Sequence, residues 1–203
     1  MTAAAPALSD QREPRITELP IEAHLGTNGM TLFIATEGFL FVLLFFSYFF
    51  LARGSGRWLS EEPPKLGLAF ALLAILVLSS VTIAWGERQL KAQRTTYARL
   101  SLIATFILGL VFVAVQVQEY REHLRTLTPR TDVYGSIFYT ITSFHAAHVG
   151  MGLLMLFFVL LIPRYRAPEQ LHRSYRNAAM YWHFVDIVWV FVVALLYVLP
   201  NIR

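Results

Sequence analysis

The sequence predicts an all-α integral membrane protein, a bundle of five transmembrane helices with the N-terminus inside and the C-terminus outside. Of its 203 residues, 56% are hydrophobic and 15% are charged, whereas soluble domains hold about 25% charged residues. The mean hydropathy is +0.53, and the apolar residues gather in five long runs. A run of about 20 apolar residues crosses the bilayer core. Its backbone groups must be satisfied within the segment, which predicts helices.

The five runs follow one another with short links that carry most of the charges. The first is GMTLFIATEGFLFVLLFFSYFFL, 29–51, and the second is LGLAFALLAILVLSSVTIAWG, 66–86. The third is RLSLIATFILGLVFVAVQVQEY, 99–120, and the fourth, 135–162, contains the stretch SFHAAHVGMG. The fifth, 178–199, contains YWHFVDIVWVF. Each is long enough to span the hydrocarbon core as a helix.

The ends of the chain and of two helices follow from polar residues and prolines. Residues 1–25 combine prolines with mixed charges and lack the apolar core of a signal peptide, so they are predicted to form a polar arm. Residues 26–203 then make up the membrane domain. Pro163 and Pro200 follow the last two runs and are predicted to end those helices, because proline lacks the backbone donor that a helix needs.

The orientation follows from the distribution of lysine and arginine. Cytoplasmic loops carry an excess of these residues. With the N-terminus inside, the inner segments hold Arg12, Arg15, Arg88, Lys91, Arg94, Arg99, Arg164, Arg166, Arg173 and Arg176. The outer segments hold Arg53, Arg57, Lys65, Arg121, Arg125, Arg130 and Arg203. The short inner loops are the denser in positive charge, which favours this orientation.

The absence of cysteine restricts the cofactor chemistry of the chain. There are no cysteines, which excludes disulfides, thiolate-held iron–sulfur clusters, thiolate-ligated haem and any cysteine-bridged copper site.

Five ionisable residues lie deep within the predicted helices, where an ionisable group is costly unless it is paired or faces a cavity, whereas Glu119 lies nearer the end of the third run. They are Glu37 in the first run, His145 and His148 in the fourth, and His183 and Asp186 in the fifth. At a rise of about 1.5 Å per residue, Glu37 lies roughly 12 Å from the inner face and the pair in the fifth run roughly 8 to 12 Å. Each pair is spaced to share a helix face. The spacing predicts one polar layer in the inner leaflet.

The polar layer has three interpretations from the residues alone. Its members could hydrogen-bond across helices and fix the packing. They could instead form a lipid-headgroup or proton-associated site. A metal or bis-histidine haem site built from His145, His148, His183 and Glu37 is a third possibility, although the repeated Glu-x-x-His pattern of metal-binding bundles is missing.

Four blocks of the sequence resemble subunit III of the haem–copper respiratory oxidases. They are GMTLFIATEGFLF, GLVFVAVQVQEY, YGSIFYTITSFHAAHVGMG and YWHFVDIVWVF, in the family's order, and the resemblance runs from about Gly26 to Pro200. The length is similar to that of the five-helix bacterial form. The motif residues that the resemblance places are Glu37, Gln116, Glu119, Tyr120, His145, His148, Trp182, His183, Asp186 and Trp189.

The resemblance implies a non-redox accessory subunit of a proton-pumping terminal oxidase, a cytochrome c oxidase in aerobic respiration. It implies no catalytic residue and no metal in this chain, with haem and copper in the partner catalytic subunit I. Subunit II, a small membrane subunit IV and tightly bound phospholipid are the other expected partners, and no nucleic acid is expected. The implied role is support of proton uptake and of the catalytic subunit's stability, in the inner (plasma) membrane of a bacterium.

Other functions remain open at this point. Within the same family, the chain could belong to a quinol oxidase or be the related accessory protein of nitric oxide reductase. From other classes, it could be a small proton-coupled transporter, although the paired repeats common in transporters are missing. A membrane cytochrome that uses the histidines as axial ligands is a further alternative.

Overall fold

A computed structural model describes residues 21–54, 66–123, 133–161 and 168–202. Within these ranges the chain is helical apart from one turn, and five helices are long and apolar enough to cross a membrane, which confirms the predicted all-α membrane bundle. In chain order the elements are α1 (Ile21–Gly54), α2 (Leu66–Lys91), α3 (Thr95–His123), α4 (Val133–Leu161), α5 (Pro168–Val192), a π-helical segment (Val193–Val198) and α6 (Leu199–Ile202).

The helices extend beyond the predicted ranges because their ends are amphipathic rather than wholly apolar. The clearest case is α5, which begins at Pro168 and not near residue 178. Its first turns bury Leu171 and Tyr175, whereas Arg173 and Arg176 on the other side are exposed. A hydrophobic-run criterion misses such turns. At the other end of the chain, α1 reaches back into the last residues of the predicted arm, and 1–20 lie outside the described residues.

The prediction that Pro200 ends the fifth helix was wrong. The helix continues to Ile202 through the π-helical segment and α6. A proline leaves the carbonyl four residues before it without its usual amide donor. Here that carbonyl belongs to Leu196, and the Tyr134 hydroxyl of α4 donates to it. The missing backbone bond is therefore replaced by a side chain from a neighbouring helix.

The α2–α3 connection is the shortest in the described chain. Residues 92–94 join the two helices, and the Arg94 amide donates to the Gln89 carbonyl at 2.9 Å. Gln93 adopts a left-handed conformation with φ 60°. The two helices therefore fold back on each other as an antiparallel hairpin and pack along their length.

The centre of the bundle is α5, which packs against α1, α2 and α4. Its Trp182 is fully buried and donates from Nε1 to the Ser79 hydroxyl at 2.8 Å. Two glycines on neighbouring helices make room for the indole. A Cβ on Gly109 would lie 2.6 Å from Trp182 Cη2, and a Cβ on Gly152 would lie 2.9 Å from Trp182 Cε3. Trp182 thus fixes the spacing of four helices.

Candidate functional site

A glutamate–histidine pair joins α1 to α4. His148 Nε2 lies 3.0 Å from Glu37 Oε2, and both side chains are mostly buried. The ring of Phe41, one turn from Glu37, meets the imidazole edge-on with a centroid separation of 4.9 Å. The ring of Phe184 on α5 covers another side of the His148 imidazole, with a centroid separation of 6.4 Å. The aromatic rings hold the pair in a setting of low polarity, where a charge-assisted hydrogen bond is strong.

The hydrogen bonds of His148 define the proton content of the pair. His148 Nδ1 lies 2.7 Å from the Phe144 carbonyl, which can only accept, so Nδ1 carries a proton. The bond between Nε2 and Oε2 then needs one further proton, located on either atom. The pair is therefore an imidazolium with a carboxylate or an imidazole with a carboxylic acid. It has no net charge in either form and can move a proton between α1 and α4.

A second histidine–carboxylate cluster joins α2 to α5 through a serine. The Ser80 hydroxyl donates to Asp186 Oδ2 and lies 3.0 Å from His183 Nδ1. His183 Nδ1 and Asp186 Oδ2 are 4.0 Å apart, so their link runs through Ser80. Asp186 is 7% exposed, and its Oδ1 atom is buried without a hydrogen-bond partner among the described residues.

The structure places the five ionisable residues in separate arrangements, and no hydrogen bond among the described residues joins the two clusters. His145 belongs to neither. It is 1% exposed and stacks on Trp189 at a centroid distance of 4.7 Å, with Phe41 and Phe112 meeting its ring edge-on. Both ring nitrogens of His145 lack a hydrogen-bond partner in the described part of the chain. His145 is thus packed as an aromatic ring.

Two residues of the third run form a polar group of their own. The Gln116 amide donates to Glu119 Oε2 at 3.0 Å, and the Tyr197 hydroxyl donates to Glu119 Oε1 at 3.0 Å. Tyr120 donates to Thr142 of α4 at 2.6 Å. Glu119 is 1% exposed, so both carboxylate oxygens are satisfied inside the bundle. Tyr197 lies in the π-helical segment, whose widened turn sets the position of its ring.

Several participating residues were missed from the sequence. Ser80 completes the cluster around Asp186, and Tyr197 completes the group around Glu119. Tyr175 forms hydrogen bonds with both the Ser101 hydroxyl and the Ile83 carbonyl. Gly86 is required there, because a Cβ would overlap the Ser101 and Tyr175 hydroxyl oxygens. Serine and glycine are ordinary helix-contact residues in membranes, so their residue type gives no signal. They can be identified only when it is known which faces of the helices contact each other.

The described residues contain no group of three or more histidine, aspartate or glutamate side chains that could hold a metal ion. Of the three candidate histidines, His148 lies in the Glu37 pair, His145 in the aromatic stack and His183 in the Ser80 cluster. Together with the five spanning helices, this geometry defines a polytopic membrane protein whose interior carries hydrogen-bonded histidine and carboxylate groups.

Comparison with known proteins assigns the family. Residues 21–200 match the family model described as cytochrome c oxidase subunit III. A protein named cytochrome c oxidase subunit 3 from Branchiostoma lanceolatum is 36% identical over 180 residues, covering 83% of this chain and 67% of the relative. The proteins of the same name from Anopheles gambiae and Struthio camelus are 35% and 34% identical, with the same coverage.

The chain belongs to the cytochrome c oxidase subunit III family, which confirms the resemblance found in the sequence. It is therefore an accessory subunit III of a haem–copper oxidase, a multi-pass membrane protein that assembles with other oxidase subunits. The family match does not favour the transporter and cytochrome alternatives.

Proposed function

We propose that the chain supports proton uptake by the catalytic subunit I and stabilises that subunit during turnover. The observation that carries this proposal is the Glu37–His148 bond of 3.0 Å. Its proton can pass between the two residues without a change in net charge. The pair can therefore relay a proton from one helix to the other at little electrostatic cost, when one proton enters as another leaves. Such a pair beside a catalytic subunit would relay protons or preserve a polar environment at the contact.

Glu37→Gln tests this role in the purified oxidase complex. A glutamine amide can donate to His148 Nε2 and preserve the hydrogen bond, but it cannot exchange a proton. We expect subunit binding to be retained, with proton uptake slowed and fewer turnovers completed before the enzyme inactivates. Phe46→Leu on the exposed face of α1 is the matched control. Normal proton uptake and normal turnover lifetime in the Glu37→Gln complex would reject the proposal.

We also propose that the N-terminus is inside and the C-terminus outside, in a bacterial plasma membrane. The cluster of positive residues at the end of α2 and the start of α5 supports this orientation. The natural absence of cysteine allows single cysteines to be labelled. Ala92→Cys should react only after the membrane is permeabilised, whereas Ile202→Cys should react with an impermeant thiol reagent in intact cells. The reverse labelling pattern would overturn the orientation.

The remaining proposed partners are subunit II, a small membrane subunit IV and bound phospholipid. The matched relatives are longer than the segment that this chain covers, and α1 is the least buried of the five spanning helices. A separate small subunit, with lipid between it and the bundle, would cover part of α1. Mass spectrometry of the intact complex should detect both, and a complex of subunits I, II and this chain alone, without lipid, would contradict the proposal.

A further inference from the structure

We propose that the face of α2 and α5 around His183 is a docking surface for another membrane subunit of the oxidase. A hydrogen-bond donor on a spanning helix of that subunit would meet His183 Nε2. This inference rests on the assembly with partner subunits proposed above. It assigns the contact to one side of the bundle and gives the chemistry of the contacting group.

The first step is the exposure of His183. Its side chain is 38% exposed, whereas the side chain of Asp186 is 10% exposed. His183 lies on the same stripe of α5 as Ile187 and Val190, which are exposed apolar residues. On α2, exposed Val77 lies one turn from Ser80. These exposed neighbours of the imidazole are apolar, whereas the charged Arg176 lies two turns away toward the start of α5.

The second step is the depth of His183 in the membrane. The apolar part of α5 begins near residue 178, after the exposed Arg176, and at a rise of about 1.5 Å per residue His183 lies roughly 8 Å along it. The hydrocarbon core is about 30 Å thick. His183 is therefore within the core, below the phospholipid headgroups. Acyl chains offer no hydrogen bond, so an unpaired ring nitrogen at this depth is costly.

The third step is a count of protons in the Ser80 cluster. With Asp186 ionised, Ser80 donates its one hydroxyl proton to Asp186 Oδ2. The ring then donates across the 3.0 Å contact between His183 Nδ1 and Ser80 Oγ, so Nδ1 carries the proton. In the neutral imidazole Nε2 is left as an acceptor. The complementary group is a neutral donor, such as a hydroxyl, an amide or an indole N–H.

The contrast with His148 supports a partner protein as the occupant. Both ring nitrogens of His148 are bonded within the chain. His183 bonds through Nδ1 alone among the described residues. The family assembles with other oxidase subunits, which supply spanning helices with side chains at this depth. A polar group on such a helix would satisfy Nε2, while Val77, Ile187 and Val190 would supply apolar contact.

Three substitutions of His183 separate docking from internal structure. Glutamine places its amide near the position of Nε2, whereas asparagine places its amide near Nδ1. His183→Leu removes both. We expect the tagged His183→Gln chain to retain its partners after a detergent challenge. The His183→Asn and His183→Leu chains should retain roughly fivefold less, which corresponds to about 1 kcal/mol. Leu110→Ala, at an exposed position of α3, is the control.

The outcomes distinguish this inference from the function proposed above. Failure of the unaltered chain to co-purify with any oxidase subunit would reject the assembly itself. Normal co-purification of the unaltered chain with equal retention in all three variants would reject only the docking surface. Retention by His183→Asn together with loss in His183→Gln would also reject it, because the Ser80 bond would then account for the effect.

Photo-cross-linking provides a test that leaves His183 in place. A benzoylphenylalanine residue at Ile187 should cross-link in native membranes to another oxidase subunit, identified by mass spectrometry. The same residue at Leu110 measures the background of protein contacts on α3. Lipid adducts alone at position 187 would place this face against the bilayer and overturn the docking surface.

Discussion

The two histidine–carboxylate clusters use the same residue types in different ways. In the α1–α4 cluster, Glu37 and His148 bond directly and aromatic rings close around them. In the α2–α5 cluster, Ser80 stands between His183 and Asp186, and the imidazole reaches the outer face. The first cluster is suited to holding a proton between two helices. The second is suited to connecting a buried carboxylate to the surface of the bundle.

The difference shows that residue spacing on one helix does not determine which groups bond. His183 and Asp186 lie one turn apart, yet the contact between them runs through a serine of another helix. His145 and His148 have the same spacing, yet among the described residues only His148 has a polar partner for its ring. In a membrane bundle, the facing helix decides the role of each ionisable group.

The largest effect should come from removal of the buried carboxylate in the serine-bridged cluster. Asp186→Ala leaves the Ser80 hydroxyl without its carboxylate acceptor, which disturbs the Ser80–His183 contact, and opens a small cavity. We expect a loss of roughly 2 kcal/mol of stability, measured as a lower thermal midpoint of the complex in mild detergent. Asp186→Asn keeps an acceptor for Ser80 and should lose less than half as much. Equal losses in the two variants would contradict this account.

A smaller effect is expected from removal of the serine bridge itself. Ser80→Ala deletes one interhelical hydrogen-bonding group while the apolar packing of α2 on α5 remains. Such bonds contribute about 1 kcal/mol in membrane proteins, and the thermal midpoint should fall accordingly. Ser47→Ala on α1 is the matched control, because its hydroxyl donates to the Leu43 carbonyl of the same helix. A midpoint that falls equally in both variants would show that the bridge contributes nothing specific.

A still smaller stability effect is expected at the direct pair. Glu37→Gln keeps a donor for His148 Nε2, because Nδ1 remains bonded to the Phe144 carbonyl. The free energy of unfolding should change by less than about 1 kcal/mol, even though proton exchange is lost. The thermal midpoint of the Glu37→Gln complex measures this change. Glu37→Leu, which removes the donor, should be clearly less stable, and equal midpoints for the two variants would oppose the direct hydrogen bond.

The smallest expected effect is the coupling free energy between the Glu37–His148 pair and the Ser80 cluster. No hydrogen bond among the described residues joins them, so the effects of Glu37→Gln and Ser80→Ala should add in the double variant within about 0.5 kcal/mol. The measurement is a double-mutant cycle on thermal midpoints. A coupling above about 1 kcal/mol would show that the two clusters act as one polar layer.

The sequence was sufficient to predict the five spans, because long apolar runs have few alternatives in a bilayer. It also identified the ionisable residues, because an ionisable side chain is rare and costly within an apolar run. It did not identify Ser80 or Tyr197 as their partners, because neither residue type is unusual in a spanning helix. The extension past Pro200 also depended on a distant side chain, the Tyr134 hydroxyl. Local rules therefore predicted the elements, and contacts between helices determined the chemistry.

The tight turn between α2 and α3 has a consequence for biosynthesis. Residues 92–94 leave no length for the two helices to enter the bilayer far apart, so we expect the translocon to release them as one hairpin. Trp182 packs against Gly109 of that hairpin. It lies on α5, which is synthesised after the other helices that Trp182 contacts. The last span, α5, would then pack onto the α2–α3 hairpin after it has formed and stabilise it. Chains truncated before residue 168 should therefore insert normally yet be degraded by membrane proteases.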